Sequence, residues 1–250
     1  MMNLLTIDWD YFLPVPHDDA VKWITFYDWG TTEQQNPMLT DMLWQTRAAQ
    51  FAINDMPLPR CEGWEDFAQR FTLSEDATLL YSNSHLFAAL DHYGDLWRPD
   101  EFGQVWLYDA HHDSGYKDKA DLERITCEDW LGYYTRGGVQ THVRYPKWHT
   151  GWKDVDCTPA TPPSSRALDS GNPPKVNGKP VTFDVVQICR SDAWVPPWCD
   201  DDFMAFLHTW GIEEWYGPDE TFRERRPFSA EQVEADVKMR RELIERAQRG

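Results

Sequence analysis

The segment Asp109-Ala110-His111-His112-Asp113 sets a carboxylate, an imidazole and a carboxylate at alternate positions, just after the apolar run Val105 to Tyr108. Alternate side chains of an extended segment point the same way, so Asp109, His111 and Asp113 can aim at one point while Ala110 and His112 face elsewhere. Such a set can hold a metal ion. Two other places repeat the pattern: Asp8 and Asp10 follow the run Asn3 to Ile7, and His85 follows the run Ala77 to Tyr81. Singly, an acid ends many strands and a lone histidine caps many helices, so only the three groups together point to chemistry.

Four carboxylates and two histidines are dominated by hard oxygen donors, which favours Mn²⁺ over structural zinc, with Fe²⁺ or Co²⁺ accepted by the same donors. Six ligating side chains exceed what one catalytic ion with an open position needs. Two ions about 4 Å apart accommodate them if some carboxylates bridge, and such a pair makes hydroxide available near neutral pH. The chemistry expected is hydrolysis.

The elements that must position these residues can be read from periodicity and punctuation. The three apolar runs above read as strands ending in polar residues, and Val143 to Tyr145 and Val181 to Ile188 add two more. Met38 to Ile53 has Leu39, Met42, Leu43, Thr46 and Phe51 at helical spacing; Trp64 to Phe71, Leu86 to Tyr93, Cys127 to Thr135 and Asp200 to Trp210 are further helix candidates. Ala230 to Arg249 reads as a charged terminal helix with Val233, Val237, Leu243 and Ile244 on one side. Residues of about 154–180 are rich in Pro, Ser, Gly and Asn and read as a loop or hairpin excursion, with Asn177-Gly178 as a turn. Strands alternating with helices indicate one α/β domain, 1–250, around a mostly parallel sheet, with ligands collecting outside the carboxyl ends of the strands.

Composition narrows the partners. With 42 acidic against 24 basic residues the net charge is -18, which opposes binding of a nucleic-acid backbone and tolerates a cationic partner as readily as it serves solubility. Five cysteines, odd in number and without a C-x-x-C pair, suggest neither a disulfide framework nor a zinc knuckle and fit a reducing cytoplasm. The sequence has no basic-then-apolar opening segment and no membrane-spanning run. Fourteen tryptophans exceed what a core alone uses, so some are expected to line a cleft.

Asp109-Ala110-His111-His112-Asp113 resembles the D-A-H-x-D signature of the arginase and deacetylase superfamily. Ser84-His85 resembles that superfamily's earlier metal histidine, and Asp8-Trp9-Asp10 its D-x-D pair. The resemblance implies a three-layer α/β/α sandwich, arginase-like, with two manganese ions held by Asp8, Asp10, His85, Asp109, His111 and Asp113. The order departs from arginases, where the D-x-D pair follows D-A-H-x-D. Thr182-Phe183-Asp184-Val185-Val186 occupies that late position but has Val in place of the second Asp, which favours Asp8 and Asp10. The segments that read a free amino acid's α-groups are not recognisable. The short chain, the early D-W-D-Y-F and the late R-S-D-x-W-x-P-P stretch are similar to small arginase-like proteins that include peptide arginases, which convert arginine side chains of ribosomally made peptides to ornithine.

That resemblance implies hydrolysis of the guanidinium C–N bond in an arginine-containing peptide, with release of urea. Deacetylation of acyl-lysine or acyl-polyamine is a second reading, and a non-catalytic binding protein a third. A guanidinium needs a carboxylate opposite its fork of donors; Asp192 ranks first, with Glu128 and Asp129 behind it. His142 and His112 are candidates to shuttle a proton to the leaving amine, His142 the better because His112 should point away from its neighbours. Tyr116 and Trp194 are placed to pack on a peptide.

Overall fold

The computed structural model describes residues 1–14, 37–116, 125–149, 158–211, 215–216, 225 and 230–249; residues 154–157 of the expected excursion lie outside the described residues. Strands β1 (Met2–Asp8), β2 (Thr72–Ser82), β3 (Phe102–Tyr108), β4 (Gln140–Tyr145) and β5 (Ser165–Leu168) belong to one sheet. β6 (Lys175–Val176) and β7 (Lys179–Pro180) form a separate hairpin, and β8 (Thr182–Cys189) and β9 (Trp215–Tyr216) return to the sheet. The sheet order is β5-β4-β3-β1-β8-β2-β9, and every pairing in it is parallel.

A parallel sheet is covered on both faces, so its strands are apolar at successive positions rather than at alternate ones. Leu5, Ile7, Trp106, Tyr108, Val186 and Ile188 belong to one core cluster, with Trp9, Phe12 and the helix α3 (Asp200–His208) residues Phe203 and Phe206. Leu4, Val105, Leu107 and Val185 belong to the other, with Trp130, Leu131 and Tyr134 of α2 (Trp130–Arg136). Helix, sheet and helix make the three-layer α/β/α arrangement. Two more helices, α1 (Pro37–Ile53) and α4 (Ala230–Arg249), pack on each other. Among the described residues no helix is long and apolar enough to cross a membrane.

The order of strands creates the crevice. From β1 the chain runs to β2, beyond β8 on one side, whereas β3, the neighbour of β1 on the other side, leads outward to β4 and β5. Connections leaving β1 and β3 therefore diverge, and the gap at their carboxyl ends is a topological switch point, where open parallel sheets bind ligands.

Several local expectations are corrected. Ser165–Leu168, inside the expected excursion, is a sheet strand paired with β4. The Asn177-Gly178 turn stands, with both residues at positive φ (51° and 77°) as a two-residue hairpin turn requires. Helix over Leu86 to Tyr93 shrinks to a 3-10 turn, His85–Ala89, because Asp91 Oδ1 accepts the backbone N–H of Tyr93 and Asp95 and closes a turn of its own. Helix over Trp64 to Phe71 likewise reduces to a 3-10 turn at Ala68–Arg70. In α1 the predicted apolar face holds only at Phe51, which is buried; Leu39 and Met42 are exposed, and Thr40, Trp44, Arg47 and Ala48 are buried instead. The buried face meets loop carbonyls: Trp44 Nε1 donates to Asp192 O (2.8 Å) and Arg47 to Ala193 O (3.1 Å). A face that satisfies backbone acceptors needs donors, so polarity misleads there. Leu243 and Ile244 of α4 are also exposed.

Candidate metal centre

Asp8 ends β1 on the same side of the strand as Thr6, and the 3-10 turn Trp9–Phe12 carries Asp10 onward. Trp9, fully buried against Phe12, Phe203 and Phe206, anchors that turn in the core from the opposite side. The turn is closed by Asp10 N–H donating to Asp8 Oδ1 (3.1 Å). Asp109 continues β3, its N–H bonded to Arg144 O, and its Oδ1 accepts the N–H of His111 (2.7 Å). Asp113 lies at φ 44°, a left-handed conformation that Asp tolerates better than most residues, and its carbonyl accepts from Leu131 at the start of α2 (2.9 Å).

These elements bring all six side chains together. His85 Nδ1 is 3.2 Å from Asp8 Oδ2, 3.1 Å from Asp109 Oδ2 and 3.0 Å from Asp113 Oδ2. His111 Nδ1 is 3.0 Å from Asp10 Oδ2 and 3.4 Å from Asp109 Oδ1. Donors at about 2.1 Å from a six-coordinate divalent cation stand about 3 Å apart when adjacent, so these spacings fit ligand shells. Asp10 Oδ2 and Asp109 Oδ2 are buried and accept no hydrogen bond, although imidazole nitrogens lie 3.0 and 3.1 Å away. Lone pairs so placed suit a cation. Two groups of donors emerge, Asp8, His85 and Asp109, joined by Asp113 through His85, and Asp10, Asp109 and His111. Asp109 belongs to both, one oxygen toward each imidazole.

The electrostatics agree with that demand for positive charge. Burial, then the neighbouring carboxylates, push Asp8 and Asp10 above the usual carboxylate range, and Asp113 up to about 7. Burial alone would lower both imidazoles, but the carboxylates around His85 and His111 raise them well above their ordinary value. Burial also works against the Asp109 carboxylate, yet the flanking His111 and His85 hold it well below the usual range. Four buried acids share two imidazoles, and divalent cations would balance them more fully than protons do.

The surrounding side chains fix the donors. Thr6 Oγ1 and His85 Nε2 are 2.9 Å apart, which leaves Nδ1 for the cluster. Trp130 Nε1 donates to Asp113 Oδ2 (2.7 Å), and Ser191 Oγ, on a residue at φ 55°, donates to Asp8 Oδ2 (3.1 Å). Arg190, buried, donates through Nε and Nη2 to Asn83 Oδ1 (2.9 and 2.6 Å) and through Nη1 to Asp200 (3.3 Å), which ties the ends of β2 and β8 together. Thr6, Trp130, Ser191 and Arg190 were not singled out from the sequence as site residues. A hydroxyl at a buried strand position two before Asp8 is a readable signal for Thr6; nothing local marks Trp130. Thr6→Val should lower metal affinity about 10–100-fold, read by competitive titration with a chelating dye, with circular dichroism unchanged.

The other candidates fare unequally. His142 lies inside β4 opposite Trp106, three residues short of Asp109; it stacks on Trp106 at 4.2 Å and Nδ1 is 2.8 Å from Ser165 Oγ. As a proton shuttle it is corrected, because it belongs to the sheet's face and not to its carboxyl edge. His112 Nδ1 accepts Ser114 N–H (3.1 Å), and its ring lies 4.6 Å from that of Tyr116. Asp129 is committed to its own loop, Oδ1 accepting from Thr126 N (2.6 Å) and Oγ1 (3.2 Å), which withdraws it as a guanidinium partner. Glu128 is half-buried, its carbonyl accepting from Gly115 beyond Asp113 (2.9 Å). Asp192 is half-buried, and its carbonyl accepts from Trp44 and Arg225. Trp194 stands 5.5 Å from the His111 ring. Asp184, from the late alternative, is near the amino end of β8, where Oδ2 accepts Asn3 N–H (2.8 Å), at the opposite edge of the sheet from the cluster.

Burial, then Arg144, lower His142 from 6.5 to about 4. Above pH 6.5 the ring is neutral in folded and unfolded chains alike; below it the unfolded chain takes the proton first, so this contribution to stability is lost as pH falls from about 6.5 to about 4. His142→Gln should flatten the urea midpoint of the chelated protein over that window by the slope of one proton; an unchanged slope would show that His142 titrates normally.

No family model, curated protein or solved structure matches this chain.

Proposed function

We propose that this chain is a binuclear metal-dependent hydrolase, with Mn²⁺ the best-matched ion, that converts peptidyl arginine to ornithine with release of urea. The observation that carries the binuclear part is Asp109, whose Oδ2 is 3.1 Å from His85 Nδ1 and whose Oδ1 is 3.4 Å from His111 Nδ1. Asp8, His85, Asp109 and Asp113 would hold the inner ion, and Asp10, Asp109 and His111 the outer one. When bound, such a pair supplies the Lewis acidity that brings water's pKa near neutrality.

The reaction adds water across the guanidinium carbon: R–NH–C(NH₂)₂⁺ and water give R–NH₃⁺ and urea. The way in is over His111, whose side chain is 22 % exposed while those of Asp8, Asp10, His85, Asp109 and Asp113 are nearly closed off. Trp194 borders that opening and offers an aromatic face to a planar cation. Asp192, two residues earlier, is the carboxylate closest in sequence to that wall and is proposed to pair with the guanidinium. The enzyme is proposed to act in the cytoplasm, where the scattered thiols stay reduced.

Incubation of Mn²⁺-loaded protein with arginine-containing peptides, free arginine and an acyl-lysine peptide tests the reading. Urea together with a CH₂N₂ mass loss from the peptide, absent in Asp109→Asn, is the expected result. Deacylation without urea would move the same centre to the amide-hydrolase class, and no product from any substrate would overturn the hydrolase reading.

A further inference from the structure

Helix α4 spans 20 residues, and every residue from Arg241 to Arg249 is exposed. Its other half packs on α1, where Gln45 Nε2 donates to Asp236 Oδ2 (3.1 Å). Met239 and Leu243 are each more than half exposed, and exposed Ala235 and Ala247 continue their stripe at intervals of four residues. A half-helix of nine residues held by its own backbone and by the exposed Arg249–Glu245 ion pair (3.0 Å) is marginal in water, and an apolar stripe along it is what a partner helix would cover.

The charges beside the stripe say which partner. At about 100° per residue, Glu231, Lys238, Glu242 and Arg249 fall within about 40° of one another, along one flank. Their signs run minus, plus, minus, plus, and their positions are symmetric about residue 240. A second copy of the helix laid antiparallel with its midpoint there puts Glu231 opposite Arg249 and Lys238 opposite Glu242, four attractive pairs across a twofold axis. The helix dipole accounts for an acid early and a base late, but it favours the opposite order to that of the inner pair, basic Lys238 before acidic Glu242. Antiparallel pairing satisfies both.

We propose that α4 is a self-association surface through which two copies of the chain dimerise, helix antiparallel to helix. The interface is small, so the dimer is concentration-dependent.

Sedimentation of the full chain from about 1 to about 200 µM should show a monomer–dimer equilibrium, and Leu243→Glu should leave a monomer with unchanged circular dichroism. Reversing half of the flank, Glu231→Lys with Lys238→Glu, should abolish the homodimer, as should Glu242→Lys with Arg249→Glu. Mixing those two variants should restore dimers, because every facing pair is again opposite in sign. A wild-type monomer over the whole range would overturn the proposal, as would half-reversed variants that self-associate like wild type or fail to pair when mixed.

Discussion

Asp109→Asn should strip both metal ions from the protein, whereas Asp10→Asn and His85→Ala should each strip one. Asparagine keeps the shape of the side chain but only one oxygen and no charge, and among the described residues Asp109 has an oxygen toward each imidazole. Losing it removes a donor from both groups and the negative charge that would hold two dications side by side. Asp10 and His85 each serve a single group. Elemental analysis after gel filtration in metal-free buffer should read about two Mn²⁺ per wild-type chain, about one for the single-group variants and close to none for Asp109→Asn. Urea release should fall at least about 10³-fold in Asp109→Asn, equivalent to roughly 4 kcal/mol of transition-state stabilisation. Retention of two ions by Asp109→Asn, or loss of one only, would refute the bridging role.

The second large effect is on stability, and it should change sign with metal. Cations that bind the folded chain alone stabilise it by about 2.7 kcal/mol per site at 100 times the dissociation constant. For a chain of this size that amounts to a rise in Tm of about 5–10 °C for one site. Asp10→Asn removes one of the cluster's four buried acids, Asp8, Asp10, Asp109 and Asp113, so in excess chelator the variant should melt above wild type, because burying an uncompensated charge is costly. In Mn²⁺ the order should reverse, since wild type gains the ion that the variant cannot hold. Asp10 also accepts Ala110 N–H (3.3 Å), a bond that an asparagine oxygen can keep. A variant that melts below wild type in both conditions would mark Asp10 as a packing residue of the turn.

These expectations depend on a site whose parts were unequally visible in the sequence. The D-x-H-x-D spacing is local and marked the segment, but the side chains are aimed by bends and not by an extended run: Asp109 Oδ1 closes a turn on His111 N–H and Asp113 is left-handed. Pairing that segment with Asp8 and Asp10 is a different matter. Acids end many strands, and the D-W-D turn could have closed any edge of the sheet. Its side chains meet Asp109 because β1 lies between β3 and β8. Asp184 is out of reach although β8 lies beside β1, because it is the third residue of β8 and so sits near the strand's amino end. His142 failed for a different reason: its residue type suits proton transfer, but its register opposite Trp106 leaves it half-buried on the sheet's face, three residues short of the carboxyl edge. The helix errors were of another kind. Asp91 and the loop carbonyls near Asp192 and Ala193 set the outcome in three dimensions, where a short polar side chain or a donor-bearing Trp and Arg outcompete propensity.

The sequence by itself determined the inner strands β1, β2, β3, β4 and β8, because strands covered on both faces are largely apolar, and that acids and histidines follow their ends, but it did not mark the edge strands β5 and β9. Only the tertiary structure decided that Asp8, Asp10, His85, Asp109, His111 and Asp113 share one place. Convergence at a switch point follows from the order in which strands lie side by side, and that order is set by long-range packing of both faces, which no local pattern of residues records.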